Sequence, residues 1–375
     1  MRAPIHVLEL RSVWGTGGGP EKTILLGAAR ADRLRAHVTV CYIRDARDEV
    51  FSLRDRARGA GVEYVELIER HSLDPRIWPA LRQLVIDRRV DVVHSHDYKT
   101  DLLAWMLARR GYTKAVATAH GWSGVSVKER CYYAADRRLL ARFPLVVTVS
   151  EAIRTRLLAS GARPAAVRRL LNGIDAQAFR RNAEVRARAR HALGLAPNTV
   201  AIGTVGRLER VKRHDVLVDA FAQLPHRDAR LLIAGDGPER QRILSRAAAL
   251  GVGGRVTLAG HVDDAAAFHQ ALDVYVQSSD SEGIPNAVLE AMALETPVVA
   301  TDVGGTAELL RADVDGLLVP RRDACAIARR IDQVLRDPAG ASARARAARR
   351  RVERDLSFDA RVTRLHEVYE EIVYG

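Results

Sequence analysis

Short apolar runs alternate with longer amphipathic stretches along most of this chain. In the first half, apolar runs at 5–10, 38–43, 90–94, 115–119 and 145–149 are the candidate strands. Amphipathic stretches at 21–33, 76–88 and 101–110 are the candidate helices between them. Continuous apolar runs are typical of parallel strands covered on both faces. The alternation therefore predicts right-handed βαβ units and a doubly wound sheet.

A second series with the same plan follows. Its candidate strands lie at 199–205, 230–234, 255–258, 274–277, 297–301 and 316–319. Its candidate helices lie at 214–222, 238–250, 263–272, 286–294, 304–310 and 325–335. The charged, strand-free stretch at 173–198 contains Pro197 and is predicted to be an interdomain linker. The Ala- and Arg-rich stretch 340–354 is predicted to form a helix with a solvated face, and 358–374 another amphipathic helix.

Length and composition agree with a two-domain α/β protein. The chain has 375 residues, of which 47% are hydrophobic and 28% charged, and domains commonly run to about 150 residues. Three cysteines stand far apart, without the paired spacing of a disulfide framework or zinc site. The N-terminus lacks the apolar run of a signal peptide, and no stretch approaches ~20 apolar residues. We therefore expect a cytoplasmic protein.

The positive charge is concentrated in the first half of the chain. The net charge is +13, and residues 1–175 hold 30 of the 59 basic residues but 19 of the 46 acidic ones. Such a field favours an anionic partner, whether phospholipid, nucleic acid or a phosphorylated acceptor. An Arg-rich background composition explains the same excess equally well.

A glycine-rich turn at 15–19 follows the first predicted strand and precedes a helix. Glycine lets the backbone approach a ligand, and a helix start offers N–H groups to an anion. Two familiar phosphate motifs are absent, because Glu21 occupies the position where a Walker loop requires glycine. Pro20 occupies the last glycine position of a dinucleotide fingerprint. These departures disfavour an ATPase and an NAD enzyme.

The most informative segment runs from 278 to 293 and holds two glutamates with seven residues between them. Gly283 and Pro285 indicate a loop, and Asn286 is predicted to cap the helix that follows. Free N–H groups at that helix start suit a diphosphate. Glu290 lies about one turn inside an otherwise apolar helix, where an unpaired charge is costly. Its carboxylate can accept hydrogen bonds from two ribose hydroxyls.

The chain resembles the retaining glycosyltransferases of family 4 over almost its full length. Glu282 and Glu290 match the paired glutamates of that family. Further matches in the same order are Gly17-Gly18-Gly19, His120-Gly121, Val149-Ser150-Glu151, Asn172-Gly173-Ile174-Asp175, Gly206-Arg207-Leu208, Lys212, Gly235-Asp236-Gly237-Pro238 and Gly305. The resemblance implies a GT-B fold, with two Rossmann-like domains facing each other across a cleft.

The resemblance also implies a domain plan. Residues 1–175 would form an acceptor-binding domain, on which the helix at 358–375 packs back. Residues 176–357 would form the domain that binds the nucleotide sugar.

The resemblance further assigns roles to individual residues. Arg207 and Lys212 would clamp the donor diphosphate, Glu282 would face the donor sugar, and His120 would lie near C6 of that sugar. Glu290 would hold the ribose. The remaining predicted substrate contacts are Gly17, Gly18, Gly19, Gly206, Gly235, Asp236, Gly237, Pro238, His261, Val262, Gly283, Ile284, Pro285, Asn286, Ala287 and Val288.

The chemistry implied is a same-face substitution in which the leaving phosphate oxygen accepts the acceptor's proton. The protein supplies positioning and charge stabilisation. Paired-carboxylate hydrolysis would need both carboxyls at the scissile bond, whereas here one is expected at the ribose. No metal and no other cofactor is expected, because two basic side chains would stabilise the departing diphosphate in place of a metal ion.

The acceptor is expected to be a saccharide or lipid-linked molecule of cell-surface polysaccharide or lipopolysaccharide synthesis. Cations and aromatic residues are mixed in the stretch 122–143, as in helices that lie on anionic bilayers. We therefore predict peripheral docking on the inner face of the cytoplasmic membrane. The other interpretation places Tyr132 and Tyr133 in the core. No nucleic-acid-binding motif accompanies the charge.

Two other functions remain open. One is a GT-B-fold sugar-nucleotide epimerase, which would act on the donor without an acceptor. The other is a non-catalytic protein that binds nucleotide sugars, against which the retained motif residues argue. UDP- and GDP-sugars are both open as donors, with UDP-hexose or UDP-N-acetylhexosamine favoured, and the oligomeric state is also open.

Overall fold

A computed structural model describes residues 3–15, 19–122, 127–262 and 264–375 of the chain. Contacts divide these residues into two units. The first unit comprises the chain up to Gly173 together with the last segment, Phe358–Gly375. The second unit comprises Ile174–Ser357.

The sheet of the first unit has seven parallel strands in the order β3-β2-β1-β4-β5-β6-β7. They are β1 (Ile5–Val13), β2 (Ala36–Asp45), β3 (Glu63–Glu69), β4 (Val92–Ser95), β5 (Lys114–Ala119), β6 (Leu145–Thr148) and β7 (Val167–Arg169). The helices between them are α1 (Gly19–Ala29), α2 (Leu53–Gly59), α3 (Ile77–Asp87), α4 (Tyr98–Arg109), α5 (Val127–Leu140) and α6 (Glu151–Ala159). The strand order reverses between β1 and β4.

The second unit repeats this plan with six parallel strands in the order β10-β9-β8-β11-β12-β13. They are β8 (Ala201–Val205), β9 (Arg230–Ala234), β10 (Val256–Gly260), β11 (Val274–Gln277), β12 (Val298–Thr301) and β13 (Leu317–Val319). Its helices are α7 (Ala183–Ala192), α8 (His214–Ala222), α9 (Arg240–Ala249), α10 (Ala265–Ala271), α11 (Asn286–Ala293), α12 (Thr306–Leu309), α13 (Ala324–Arg336) and α14 (Pro338–Asp355). The order reverses between β8 and β11, so the predicted α/β class with two Rossmann-like units is confirmed.

The last helix, α15 (Phe358–Tyr374), belongs to the first unit. Val368 and Tyr369 pack in a buried cluster with Ile5 and Val7 of β1. The buried Arg361 donates hydrogen bonds to the carbonyl oxygens of residues 170 and 171 at 2.9 and 3.0 Å. Apolar packing and a buried guanidinium thus hold the chain end against the first sheet. In the described part of the chain, no helix has the length and apolarity needed to cross a bilayer.

Two edge strands have no counterpart among the predicted strands, and one predicted feature is wrong. Strand β3 escapes the apolar pattern because it is half-exposed and carries glutamates, and β7 is only three residues long. The stretch 173–198 is not a linker, since it lies within the second unit and forms α7, which Asn182 caps. Helix α14 has the predicted solvated face, and its other face is buried through Ala341, Ala345, Ala348 and Val352. The buried Arg349 on that face donates to three carbonyl oxygens.

Candidate active site

The carboxyl ends of β8 and β11 lie side by side where the second sheet reverses its strand order. In an open α/β sheet, ligands bind in the crevice at such a switch point, beyond the carboxyl ends of the strands. The loops that begin there are 206–213 after β8 and 278–285 after β11. Most of the residues predicted to bind the donor lie in these loops or in the loops after β9 and β10.

The loop after β8 is joined to the turn after β9. The backbone N–H of Gly206 donates to the Ala234 carbonyl at 2.9 Å, and that of Leu208 donates to the Asp236 carbonyl at 2.9 Å. Gly235 has a φ of +134°, and a Cβ atom there would overlap the Gly206 carbonyl. Glycine is required at this close approach, because any side chain would separate the two loops. The predicted base-binding turn and the diphosphate-binding loop therefore form one rigid piece.

Lys212 and Glu282 form an ion pair across the switch point. The Lys212 ammonium lies 2.8 and 3.0 Å from the two carboxylate oxygens of Glu282. Ser279 donates its hydroxyl hydrogen to Oε1 of Glu282 at 2.5 Å. Ser278 donates to the Lys212 carbonyl at 2.9 Å, which fixes the backbone of the cation. Two predicted site residues 70 positions apart are thus in contact.

The loop that carries Glu282 is pressed against the start of the segment leading to α12. A Cβ atom on Gly304 would overlap the Glu282 carbonyl, and one on Gly305 would overlap the Gly283 carbonyl. The φ of Gly304 is +50°, which favours glycine independently of space. The two glycines therefore set the height of the loop above the sheet and with it the position of the Glu282 carboxylate.

Helix α11 starts at Asn286, and its N-cap residue is Pro285. The prediction that Asn286 caps this helix is therefore wrong. Pro285 has extended backbone angles, φ −76° and ψ 107°, and no side-chain hydrogen bond caps the helix start. The first N–H groups of a helix have no intrahelical acceptor. The N–H of Val288 already donates to the Pro285 carbonyl at 3.1 Å, so the N–H groups of Asn286 and Ala287 are the ones left for an anion.

Glu290 lies within α11 and is largely buried. Its Oε2 lies 3.3 Å from Nε2 of His269, whose side chain is fully buried on α10. The ring of His269 also packs on Tyr275, with 5.1 Å between ring centroids. His269 lies outside every motif recognised in the sequence. Among the described residues neither ring nitrogen of His269 forms a hydrogen bond, so this approach leaves the lone pairs of the Glu290 carboxylate for a ligand.

Arg207 is placed differently from Lys212. Its side chain is 79% exposed, and its guanidinium pairs with Glu209 at 2.7 Å. The structure brings it into the same loop as Lys212 but shows no direct contact with Glu282. An exposed pair of this kind contributes little to stability. Arg207 can therefore exchange Glu209 for a more highly charged anion at low energetic cost.

His214, the first residue of α8, supports the Arg207 loop from below. Its Nε2 lies 3.4 Å from the Arg207 carbonyl, and burial lowers its pKa to about 4. In the unfolded chain the imidazole of His214 binds a proton near pH 6.5, whereas in the folded chain it stays neutral at that pH. Stability should therefore fall as the pH drops from about 6.5 to 4, by ~1.4 kcal/mol per pH unit.

We expect a His214→Gln variant to lack the destabilisation at low pH that His214 causes in the wild type. Urea unfolding at pH 7, 6 and 5 should give a stability that declines less steeply than in the wild type, by ~1.4 kcal/mol per pH unit. The other histidines cancel in the comparison of the two proteins. Parallel declines in wild type and variant would show that His214 is not buried in its neutral form.

The remaining residues predicted to contact the donor lie in the loops after β9, β10 and β11 and at the start of α11. Gly235 donates its N–H to the Gly260 carbonyl at 2.7 Å, so His261 and Val262 follow directly after that contact. Gly283 and Asn286 are exposed, Ile284 and Ala287 are half-buried, and Pro285 is buried. Val288 is fully buried and its N–H donates to the Pro285 carbonyl at 3.1 Å, so neither its side chain nor its N–H is open to a ligand. Asp236 accepts a hydrogen bond from the N–H of Gly237, and Pro238 follows.

The site residues predicted in the first half of the chain lie in the other unit. His120 follows β5, and its Nε2 lies 3.0 Å from Nδ1 of His96. Gly19 is the first residue of α1. Gly17 and Gly18 lie outside the described residues. Within the described ranges, the one cluster close enough to share a metal ion is Glu9, His94 and His96, also in this unit.

The second unit thus offers the Lys212 ammonium paired with Glu282, the exposed Arg207 guanidinium and the Glu290 carboxylate. The start of α11 adds N–H groups without an acceptor. This set matches a ligand with a negative centre and several hydroxyl groups. Charge stabilisation by fixed donors is the largest single contribution to many enzymatic reactions.

Comparison with known proteins identifies related sequences. Residues 185–351 match the family described as Glycosyl transferases group 1, and residues 17–178 match Glycosyltransferase Family 4. The putative glycosyltransferase EpsD of Bacillus subtilis is 32% identical over 287 residues, 72% of this chain and 75% of the relative. The lipopolysaccharide core biosynthesis glycosyltransferase LpsE of Rhizobium meliloti is 40% identical over 134 residues, 36% of this chain and 39% of the relative.

The fold also matches a solved structure. The crystal structure of HepE from Anabaena in complex with UDP superposes with a TM-score of 0.85 and 21% identity. The match covers 98% of this chain and 100% of that chain. The same protein has also been solved with UDP-glucose. The predicted GT-B fold is confirmed.

Proposed function

This chain belongs to the glycosyltransferases of group 1 and family 4, and we propose that it transfers a sugar from a UDP-sugar with retention of configuration. The observation that carries the proposal is the Lys212–Glu282 pair at the switch point of the second sheet. HepE binds UDP and UDP-glucose, which supports a uridine nucleotide and a hexose as the donor. GDP-sugars are the alternative donors.

The donor diphosphate lies at the start of α11 in this proposal. Lys212 and Arg207 neutralise its charge, and the open N–H groups of the helix start donate to its oxygens. Glu290 accepts hydrogen bonds from the ribose hydroxyls. Glu282 accepts hydrogen bonds from hydroxyls of the donor sugar.

The reaction proceeds by same-face substitution without a covalent enzyme intermediate. Both oxygens of Glu282 are engaged by Lys212, and one also by Ser279, which supports a binding role over that of a nucleophile. The bond between the anomeric carbon and the phosphate oxygen breaks while the acceptor oxygen attacks from the same face. The leaving phosphate accepts the acceptor's proton. Fixed cations stabilise the leaving group, so the proposal requires no metal.

The acceptor is proposed to be a saccharide or a lipid-linked intermediate of cell-surface polysaccharide synthesis. The relative LpsE is named for lipopolysaccharide core biosynthesis, which agrees with that setting. Tyr132 is 45% exposed and stacks on Tyr98, which is 47% exposed, with ring centroids 5.5 Å apart. Tyr132 is thus not a core residue, and Arg138 and Arg142 lie exposed on or near the same helix. These features support docking on an anionic membrane. In a flotation assay at low salt, the protein should therefore float together with liposomes rich in anionic lipid.

The transfer itself is tested with a panel of UDP- and GDP-sugars and saccharide or lipid-linked acceptors in the presence of EDTA. The proposal expects a product only with acceptor present, from a UDP-sugar, with the anomeric configuration of the donor. A change of configuration or loss of activity in EDTA would contradict the mechanism. An epimerised donor formed without acceptor would favour the epimerase, and binding without any product would favour a non-catalytic protein.

A further inference from the structure

A buried hydrogen-bonded chain in the first unit ends at His120. Glu9 on β1 lies 2.5 Å from His96, measured from Oε2 to Nε2. His96 follows β4, and its other ring nitrogen, Nδ1, lies 3.0 Å from Nε2 of His120. Glu9 and His96 are both almost completely buried, whereas His120 is half-exposed. The chain therefore runs from the interior of the sheet to its carboxyl edge.

The carboxylate of Glu9 is held in its ionised form. Burial raises its pKa, but the hydrogen bond from His96 and the positive charge of the buried Arg361 nearby favour the ionised form, and the pKa lies well below its usual range. Tyr369 on α15 donates its hydroxyl hydrogen to Oε1 of Glu9 at 2.9 Å. An ionised carboxylate can only accept hydrogen bonds. The Nε2 of His96 must therefore carry a hydrogen and donate it.

This assignment fixes the protons along the rest of the chain. Burial lowers the pKa of His96 to about 4 and that of His120 well below its usual value, so both rings are neutral at pH 7. A neutral imidazole has one donor and one acceptor nitrogen. With its hydrogen on Nε2, His96 has a bare Nδ1 and accepts from Nε2 of His120. Nδ1 of His120 is then an acceptor, and no described residue forms a hydrogen bond with it.

The other half of the network agrees with the same assignment. The hydrogen of Tyr369 is used on Glu9, so Nδ1 of His94 donates to the Tyr369 oxygen at 2.8 Å. Nε2 of His94 then accepts from the hydroxyl of Thr118 at 2.7 Å. Every nitrogen of His94 and His96 has a hydrogen-bond partner. We therefore interpret Glu9, His94 and His96 as a proton network rather than a metal site, although their ligand atoms lie within 4.8 Å of one another.

We propose that Glu9 and His96 are positioning residues that hold His120 in the tautomer with hydrogen on Nε2 and a bare Nδ1 facing a substrate hydroxyl. The inference rests on the proposed function in one respect, since it assumes that His120 meets the donor sugar or the acceptor. A bare Nδ1 accepts a hydrogen bond from a hydroxyl group, which the opposite tautomer could not do. Arg11 supports the arrangement by donating to the His96 carbonyl at 2.8 Å.

The experiment is nitrogen NMR of protein labelled with ¹⁵N-histidine, combined with kinetics. In the wild type, His96 and His120 should carry hydrogen on Nε2 and His94 on Nδ1. In His96→Leu, His120 should become a mixture of both tautomers, and kcat should fall about 10- to 100-fold, as for other residues that orient a functional histidine. The KM for the donor should change by less than about threefold. The control is His366→Gln, which replaces a buried histidine on α15 that is not part of the hydrogen-bonded series from Glu9 to His120. It should change neither the tautomer of His120 nor kcat.

Each outcome decides the inference. Hydrogen on Nδ1 of His120 in the wild type, an unchanged His120 spectrum in His96→Leu, or a stoichiometric metal bound at Glu9 would overturn it. If His96→Leu does not fold, Glu9→Gln should produce the same tautomer mixture, and the wild-type spectrum needs no variant. The expected tautomers in a protein that transfers no sugar would count against the proposed function alone.

Discussion

Replacing Lys212 with alanine is expected to lower kcat about 10²- to 10³-fold while the donor KM changes little. Removal of one fixed donor to a developing negative charge typically has an effect of this size. The ammonium of Lys212 is already positioned by Glu282 at 2.8 Å, so it needs no reorganisation when the phosphate leaves. Because the charge on the phosphate grows during bond breaking, the loss should be larger in the transition state than in the bound donor. Steady-state kinetics at varied donor concentration measures both constants.

The matched control is Arg210→Ala, which removes an exposed cation from the same turn. It should leave kcat within about twofold of the wild type, because an exposed charge away from the reacting atoms has little effect. Lys212→Ala leaves the largely buried Glu282 without its cation, so its thermal stability should be measured alongside. A folded Lys212→Ala protein with wild-type kcat would remove Lys212 from the reaction.

Glu290→Ala is expected to weaken binding of the nucleoside diphosphate about 10- to 100-fold. A hydrogen bond to a charged acceptor contributes about 1.5–3 kcal/mol, and each 1.4 kcal/mol changes the dissociation constant tenfold. Glu290 lies inside α11 with His269 on one side only. Calorimetric titration of UDP into both proteins measures the loss.

A ribose without hydroxyl groups identifies the contact more sharply. The wild type should bind 2′,3′-dideoxy-UDP about as weakly as Glu290→Ala binds UDP, and the variant should not distinguish the two ligands. Glu184→Ala, at an exposed position on α7, is the control and should bind UDP normally. If the variant still prefers UDP over the dideoxy compound, Glu290 does not hold the ribose.

The central strands and their helices could be predicted from the sequence because burial on both faces produces continuous apolar runs. Strands β9 and β11 and helix α8 have the predicted bounds. The interpretation of 173–198 as a linker fails because two of its charged residues are not exposed: Arg190 is buried and Arg186 is half-buried. Arg186 and Arg190 of α7 bind Asp273, more than 80 residues away, and such pairing has no local signature.

The candidate site was predictable where chemistry depends on residue type and spacing, as for Lys212 and Glu282. What could not be predicted is the set of partners that hold these residues. Ser279 bonds to Glu282 and was visible in the motif, but His269 reaches Glu290 from another helix. The cap at Pro285 depends on backbone angles that preference for Asn at helix starts does not reveal. His96 stands next to a predicted strand in a His-x-His pattern, a signal that could have been used.

The central claim is that a nucleoside diphosphate lies at the start of α11, between Lys212 and Glu290. A crystal structure of the protein soaked with UDP tests this most directly. The account predicts phosphate oxygens within hydrogen-bond distance of the N–H groups that open α11 and of the Lys212 ammonium, with the ribose hydroxyls on Glu290. UDP bound away from the carboxyl edge of the second sheet, or a ribose that does not touch Glu290, would contradict it.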